Sequence, residues 1–270
     1  NFNGTAGIWR KECIMDAGNW SGDTLTEDLD LSYRAQMKKW KFKYLENVET
    51  PAELPVVISA ARSQQFRWNK GAAENFQKNY SKILFDKTLT VGTKFHGFFH
   101  LLNSSMFLLV LLLAILSVPV LYIKNTNPQF TNYFNVIAFF AISTLLFFAC
   151  YWVTYAKIHG KGIKSFFQFI GMFFTFFSIA MGFSVHNSIA VLEGHFGKKS
   201  EFVRTPKFNI NNLKDSWKGN KYLSRKLSLS TIVEGFLWLY FGFAIYSAFV
   251  LQDFGLIIFH LMLFAGFGYV

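Results

Sequence analysis

The sequence predicts a polar α/β portion joined to an α-helical membrane portion, on three observations. Residues 1–97 have a mixed, polar composition; residues 98–270 are dominated by long apolar runs; and Lys and Arg crowd beside those runs. The 270 residues are 52% hydrophobic and 19% aromatic but only 16% charged, against roughly 25% in soluble domains. A formal net charge of +11 fits either nucleic acid or a membrane surface. Because the surplus flanks apolar runs, it fits anionic headgroups, and no nucleic-acid partner is called for. The chain opens at Asn1 without an initiator Met and closes at Val270 inside an apolar run. Both ends read as cuts, and a fragment of a longer protein is expected.

Taken in order, the polar portion begins with a small-residue stretch in which Gly4 and Gly7 allow close backbone approach and Asn3 and Thr5 offer hydrogen-bonding groups. A simple turn explains it equally well. Then "TLTEDLDLSYRAQ", residues 24–36, sets Glu27, Asp28 and Asp30 at the start of a helix with Thr24 or Thr26 as its cap. The acids serve the helix dipole, or one of them accepts a proton as a general base. "KFKYLENVETPAELP", residues 41–55, alternates and ends in Pro, predicting a short strand and a loop. "VVISAARSQQFRWNKG", residues 56–71, predicts a helix closed by Gly71. Its Gln64, Gln65, Arg67 and Trp68 suit a diphosphate and a stacked sugar or base, or else anchor the helix among headgroups. Phe76, Tyr80, Ile83 and Leu84 recur at helical spacing with Lys between them, predicting an amphipathic surface helix over 76–97. Cys13 and Cys150 have no CxxC or Cys/His spacing and read as isolated thiols.

Residues 98–123 hold no Asp, Glu, Lys or Arg, enough to cross a hydrocarbon core of about 30 Å. Further runs cover 134–156, 166–192, 231–250 and 254–270. Basic residues before 98, at 157–164 and through 193–230 mark all three as cytoplasmic. That parity requires 134–156 or 166–192 to be an incomplete crossing, and His186, Asn187 and Ser188 point to the second half of 166–192 as an interfacial or cavity-lining continuation. Glu234 is either a snorkelling end residue or a cavity-facing group.

Three motifs in this order, "FNGTAGIWR", "TEDLDLSYRAQ" and "QQFRW", followed by membrane spans, resemble the second half of the catalytic domain of membrane-embedded family 2 glycosyltransferases. The likeness covers residues 1–80 and is nearest the cellulose-synthase-like branch that includes β-mannan and glucomannan synthases. It implies a GT-A fold, whose C-terminal part would occupy 1–75, with the interfacial helix at 76–97 and the transmembrane region at 98–270. It also implies inversion at the anomeric carbon, a nucleotide-sugar donor of the UDP-glucose or GDP-mannose type, and a divalent metal, Mg or Mn. By the same resemblance Asp28 is the catalytic base, with Thr26 and Glu27 as its motif neighbours. Gln64, Gln65, Arg67 and Trp68 contact the donor diphosphate and the acceptor, and Asn3, Gly4 and Thr5 form the acceptor-side loop. "KKSEFVRTPKF", residues 198–208, resembles a cytoplasmic gating loop through Phe202, Thr205 and Lys207, but Arg204 stands where the family has Val.

The family's Asp-x-Asp lies upstream of the matched motifs. No metal ligand is therefore expected in this fragment, "DLD" at 28–30 is not that motif, and the fragment alone is not expected to turn over donor. The implied enzyme is an inverting, processive hexosyltransferase of the plasma membrane that extends a β-glycan from its cytoplasmic side, with membrane lipids around its spans. The alternatives are a non-processive enzyme that glycosylates a lipid acceptor once, and a membrane transporter whose cytoplasmic segment is an interaction module.

Overall fold

Helix signals dominate the sequence, and the computed structural model is helical wherever it is regular. It describes residues 2, 4, 6–45, 47–139, 142–203 and 228–270. Asn3, Thr5, Thr205 and Lys207 therefore lie outside the described residues. Two compact units are formed, one from Asn1–Leu109 and His186–Lys226, the other from Val110–Val185 and Leu227–Val270.

In the first unit, α1 (Lys11–Asp16) precedes α2 (Glu27–Met37). The expected start of α2 is observed, with Glu27, Asp28 and Asp30 in its first turn and Arg34 in its last, as the helix dipole favours. Thr26 is the cap residue, yet its side chain makes no capping bond. Leu31 and Ala35, one turn apart, are fully buried against Cys13 of α1 and Ala17 just after it, and Trp9, Ile14 and Trp40 close over them. Burying a side chain such as Leu31 contributes about 1.5–3 kcal/mol.

Three expectations are corrected here. No strand occurs among the described residues, and 41–55 is irregular. Strand backbone needs a neighbour to take up its N–H and C=O groups, and the described residues provide none. Second, the helix predicted to close at Gly71 continues as α3 (Ile58–Phe85). A Cβ on Gly71 would lie 2.6 Å from Thr26 Oγ1 and 2.8 Å from Thr26 N, so the glycine permits close approach of two backbones. Third, 76–97 is not one helix. α3 ends at Phe85, and after a break α4 (Val91–Leu102) begins, its first turn capped by Thr90 Oγ1 accepting from Thr93 N–H at 3.2 Å. The apolar stripe of this segment packs inward: Ile83 is buried with Tyr33 and Leu101, and Phe76 lies against that cluster.

α9 (Ser184–His195) completes the unit by lying along α3. A Cβ on Gly194 would meet Lys70 O at 2.6 Å and Ala73 Cβ at 2.7 Å, so the contact is close. Lys70, fully buried, donates to Glu193 Oε2 at 2.9 Å and to Ser200 Oγ. Lys198 reaches the other carboxylate oxygen of Glu193 at 2.5 Å.

The second unit takes up the rest of α5 (Met106–Thr126), then α6 (Thr131–Phe139), α7 (Ile142–His159), α8 (Ile163–Gly182), α10 (Leu229–Val250) and α11 (Ile257–Tyr269). Among the described residues, four stretches are long and apolar enough to cross a membrane: Val91–Thr126, Pro128–His159, Ile163–Gly182 and Leu229–Val250. α11 has 13 residues, fewer than the about 20 a helical crossing needs. The uncharged run 166–192 does divide: α8 stops at Gly182 and α9 starts at Ser184. An aromatic seam joins α7 and α8, where Phe148 stands 5.0 Å from both Phe169 and Phe173 and Trp152 stands 5.0 Å from Phe166.

Pro119 inside α5 has no N–H for the carbonyl of Ile115, and Tyr240 Oη donates to that carbonyl at 2.7 Å. In an apolar surround this replaces a lost helix bond. α8 and α11 meet through Gly182 and Gly266, where a Cβ on Gly266 would run into the carbonyl of Ser178, the close approach that small residues permit between membrane helices. Glu234 is 2% exposed and is a buried group of α10, which corrects the reading as a snorkelling end residue.

Candidate active site

The residues 24–30 that open α2 are held by one face of α3. Gly71, Glu74, Asn75, Lys78 and Asn79 are spaced to share a side of a helix, and each contacts this segment. Glu74 Oε2 accepts from Leu25 N–H at 2.7 Å. Asn75, fully buried, directs its amide nitrogen to Thr26 O and Thr26 Oγ1, both at 3.0 Å, to Gly71 O at 3.1 Å and to Thr24 Oγ1 at 3.3 Å. Thr26 Oγ1 is thus engaged by Asn75 instead of capping α2.

Asp30, expected as a plain first-turn acid, is 0% exposed. Arg34 Nε and Lys78 Nζ bind its Oδ2 at 2.8 and 3.0 Å, and Asn79 donates to its Oδ1 at 3.2 Å. A buried carboxylate without such partners would cost several kcal/mol; here two cations and an amide offset that cost. Arg34 also donates to the carbonyls of Ala17 and Asn19, which ties the turn after α1 to α2.

Asp28 differs from Asp30. It is half-buried, and burial, reinforced by the neighbouring charge of Glu27, pushes its carboxyl above the usual aspartate range. The amides of Leu29 and of Asp28 itself and the positive charge of Arg67 oppose this without cancelling it. A raised pKa makes Asp28 a stronger proton acceptor when ionised. Gly4 has φ +84°, a left-handed conformation that suits glycine, and a Cβ there would collide with Asp28 Oδ2. The small-residue loop and the carboxylate are therefore in direct contact, as close as a side-chain-free residue permits.

On α3 the four motif residues lie in the two turns before Gly71. Gln64, Gln65 and Arg67 are half-buried and Trp68 is exposed. Gln65 O accepts from the Asn69 amide at 2.8 Å. The guanidinium carbon of Arg67 stands 4.7 Å from the ring centroid of Phe202, a cation–π contact that joins two residues 135 positions apart, one in "QQFRW" and one in the stretch that opens with "KKSEF". Beside Arg67 opens a cavity of about 450 Å³ lined by Leu25, Ser63, Phe66, Arg67, His186, Ser200, Glu201 and Val203.

The structure thus brings Asp28, Gly4, Arg67 and Phe202 into one unit with Thr26, Glu27, Gln64, Gln65 and Trp68. Asn75, Lys70 and Glu193 also belong to this arrangement and were not predicted, because their partners lie far along the chain; His186, expected as an interfacial or cavity-lining residue, lines the cavity. Among the described residues no group of three or more His, Cys, Asp or Glu is placed to hold a metal ion, and Asp30 is already occupied by Arg34 and Lys78. The described residues do not fit a metal site, and no chemical step is assigned to one.

Asn75→Ala should lower the turnover of the full-length protein about 10–100-fold, the scale on which a small misplacement of a catalytic group acts, with the nucleotide-sugar KM nearly unchanged. Steady-state kinetics check this; a raised KM with intact turnover would place Asn75 on the binding side instead.

Comparison with known proteins follows the same motifs. Residues 3–158, more than half of the chain, match the family described as Glycosyl transferase family group 2. Glucomannan 4-beta-mannosyltransferase 1 of Oryza sativa subsp. japonica is 45% identical over 95 residues, which cover 35% of this chain and 18% of that protein. Glucomannan 4-beta-mannosyltransferase 9 of Arabidopsis thaliana is also 45% identical over 95 residues, with the same two coverages. Glucomannan 4-beta-mannosyltransferase 7 of Arabidopsis thaliana is 33% identical over 138 residues, 49% of this chain and 25% of that protein. The matched stretch thus spans a quarter or less of each of these curated relatives. No solved structure matches the chain. With its ordered motifs gathered on α2 and α3 and the family match running from them into the apolar helices, the chain belongs to glycosyl transferase family group 2.

Proposed function

We propose that this chain supplies the acceptor side of a GT-A catalytic domain and the adjoining membrane region of an inverting hexosyltransferase. The donor would be a nucleoside-diphosphate sugar of the GDP-mannose or UDP-glucose type, and the product a β-glycan extended at the membrane. The observation that carries this reading is Asp28, a half-buried carboxylate packed directly against Gly4 in the first turn of α2, with the charge of Arg67 acting on it.

In this reaction the acceptor hydroxyl oxygen attacks the anomeric carbon of the donor sugar and Asp28 takes its proton. A new glycosidic C–O bond forms on the face opposite the breaking bond to the diphosphate, which leaves with the electron pair. Arg67 would stabilise the negative charge that grows on the leaving group, a contribution that counts most in a partly desolvated site. Trp68 offers an exposed indole face for stacking on an acceptor sugar. The α/β sheet of the GT-A domain, and a metal site for the diphosphate, would come from residues outside those described. Phe202 over Arg67 supports a loop that rests on the donor end between additions, which favours a processive enzyme. Lys and Arg before α4, at 157–164 and beyond α9 support a cytoplasmic catalytic portion, in the plasma membrane, with α6–α7 or α8 as the incomplete crossing.

Membranes carrying the full-length protein, incubated with radiolabelled GDP-mannose or UDP-glucose, test this reading. Label should enter a product that runs as a ladder or smear of long chains on a gel. A single labelled glycolipid would replace the processive reading by the non-processive one.

A further inference from the structure

The cavity beside Arg67 contains a set of hydrogen-bonding groups that neither the motifs nor the family match accounts for. His186 donates from Nε2 to the backbone carbonyl of Arg62 at 3.0 Å. A carbonyl can only accept, so this bond fixes the tautomer and leaves Nδ1 as an acceptor. The ring is held in place by Phe66, 5.4 Å away and tilted. Burial, with the charge of Arg62 nearby, disfavours the imidazolium, though the Arg62 carbonyl works the other way; the net effect is a lowered pKa.

The other polar groups of the wall are similarly committed on one side and open on the other. Ser63 donates its hydroxyl hydrogen to Ser59 O at 3.1 Å, so its remaining capacity is to accept. Ser200 Oγ accepts from Lys70 Nζ, so its hydrogen is available to donate. Arg67 adds further N–H donors and Glu201 a carboxylate acceptor, while Phe66 and Leu25 give apolar faces. A wall that mixes single donors and single acceptors around an aromatic face suits a ligand whose every polar group both donates and accepts. That is a polyhydroxylated ring. The carboxylate of Glu201 in the same wall disfavours a phosphate. A volume of about 450 Å³ falls in the range of small-ligand sites.

We propose that this cavity between α3 and α9 is a sugar-ring subsite in which His186 Nδ1 accepts a hydrogen bond from a hexose hydroxyl. The proposal rests on the glycosyltransferase reading for which sugar occupies the cavity, the donor hexose or a residue of the acceptor glycan. His186 acts here as a binding and specificity residue; the proton of the attacking hydroxyl goes to Asp28.

The test uses the full-length protein with GDP-mannose plus mannotetraose and UDP-glucose plus cellotetraose. His186→Ala should raise the KM of one sugar substrate about tenfold, the scale of one hydrogen bond, with kcat largely retained. His186→Asn, which restores an acceptor oxygen near the Nδ1 position, should recover most of the loss. A rise confined to the oligosaccharide KM assigns the cavity to the acceptor, and one confined to the nucleotide-sugar KM assigns it to the donor hexose. Ser63→Ala, an exposed position that leaves the fold intact, should raise the same KM. If both variants keep wild-type KM values for both substrates, the subsite is overturned while the glycosyltransferase reading stands. A wild-type protein that transfers no sugar overturns that reading instead. Equilibrium binding of mannotetraose, cellotetraose, GDP-mannose and UDP-glucose to the solubilised protein then decides the subsite by itself: weaker binding of any of these by His186→Ala supports it, and equal binding of all four ends it.

Discussion

Asp28→Asn in the full-length protein should lower sugar transfer about 10²–10⁴-fold, the usual loss when a positioned base is removed, and leave nucleotide-sugar binding nearly unchanged. The substitution keeps the size of the side chain, so the contact with Gly4 and the start of α2 should survive. The pH profile adds an independent readout. Burial and the charge of Glu27 raise the Asp28 carboxyl above the ordinary aspartate range. The base works only when ionised, so kcat/KM should fall with decreasing pH through a limb above that range. Glu27→Gln removes one of the raising influences and should move the limb to lower pH. Wild-type-like turnover by Asp28→Asn would remove Asp28 from the mechanism.

Glu193→Gln should produce the largest loss of stability among the substitutions considered. Lys70 is 0% exposed, and its ammonium is held by Glu193 and Ser200. The substitution leaves a buried cation with neutral partners and no counter-charge in contact, a change that costs about 3–5 kcal/mol in comparable pairs. Lys70→Met should cost less, because Glu193 is partly exposed and keeps Lys198 at 2.5 Å. Burial pushes the Glu193 carboxyl up, but the bonds from Lys198 and Lys70 outweigh it and leave the pKa lowered. A folded-state pKa below the unfolded one means stability that is present above the unfolded pKa and lost as pH falls through the folded one. Wild type should therefore lose this contribution in acid, and Glu193→Gln should lack that component. Thermal unfolding in detergent across pH measures both effects; equal melting temperatures for wild type and Glu193→Gln would show that the α3–α9 pair does not hold the unit together.

What could be read from the sequence was what depends on near neighbours. The start of α2 follows from acids clustered behind Thr26, and the apolar helices follow from uncharged runs long enough to cross a bilayer. The division of 166–192 was visible in its polar second half. What escaped depends on partners far along the chain. Gly71 looks like a helix stop until Thr26, 45 positions earlier, is seen against it. Asp30 and Asp28 are equivalent as first-turn acids by local pattern, and the motif resemblance alone singled out Asp28; that Asp30 is a buried carboxylate held by Arg34, Lys78 and Asn79 was not legible. The alternation at 41–55 signalled a strand, but pairing is a property of two segments, and local pattern reports one. The stripe Phe76, Tyr80, Ile83 matched an interfacial helix because an amphipathic face has the same spacing whether lipid or protein covers it.

Sugar transfer by paired membranes of wild type and Asp28→Asn, supplied with radiolabelled GDP-mannose or UDP-glucose, tests the central claim most directly. Wild type should build labelled β-linked glycan from one of these donors while Asp28→Asn binds that donor and builds none. Equal incorporation by the two, or none by wild type from either donor, would contradict it.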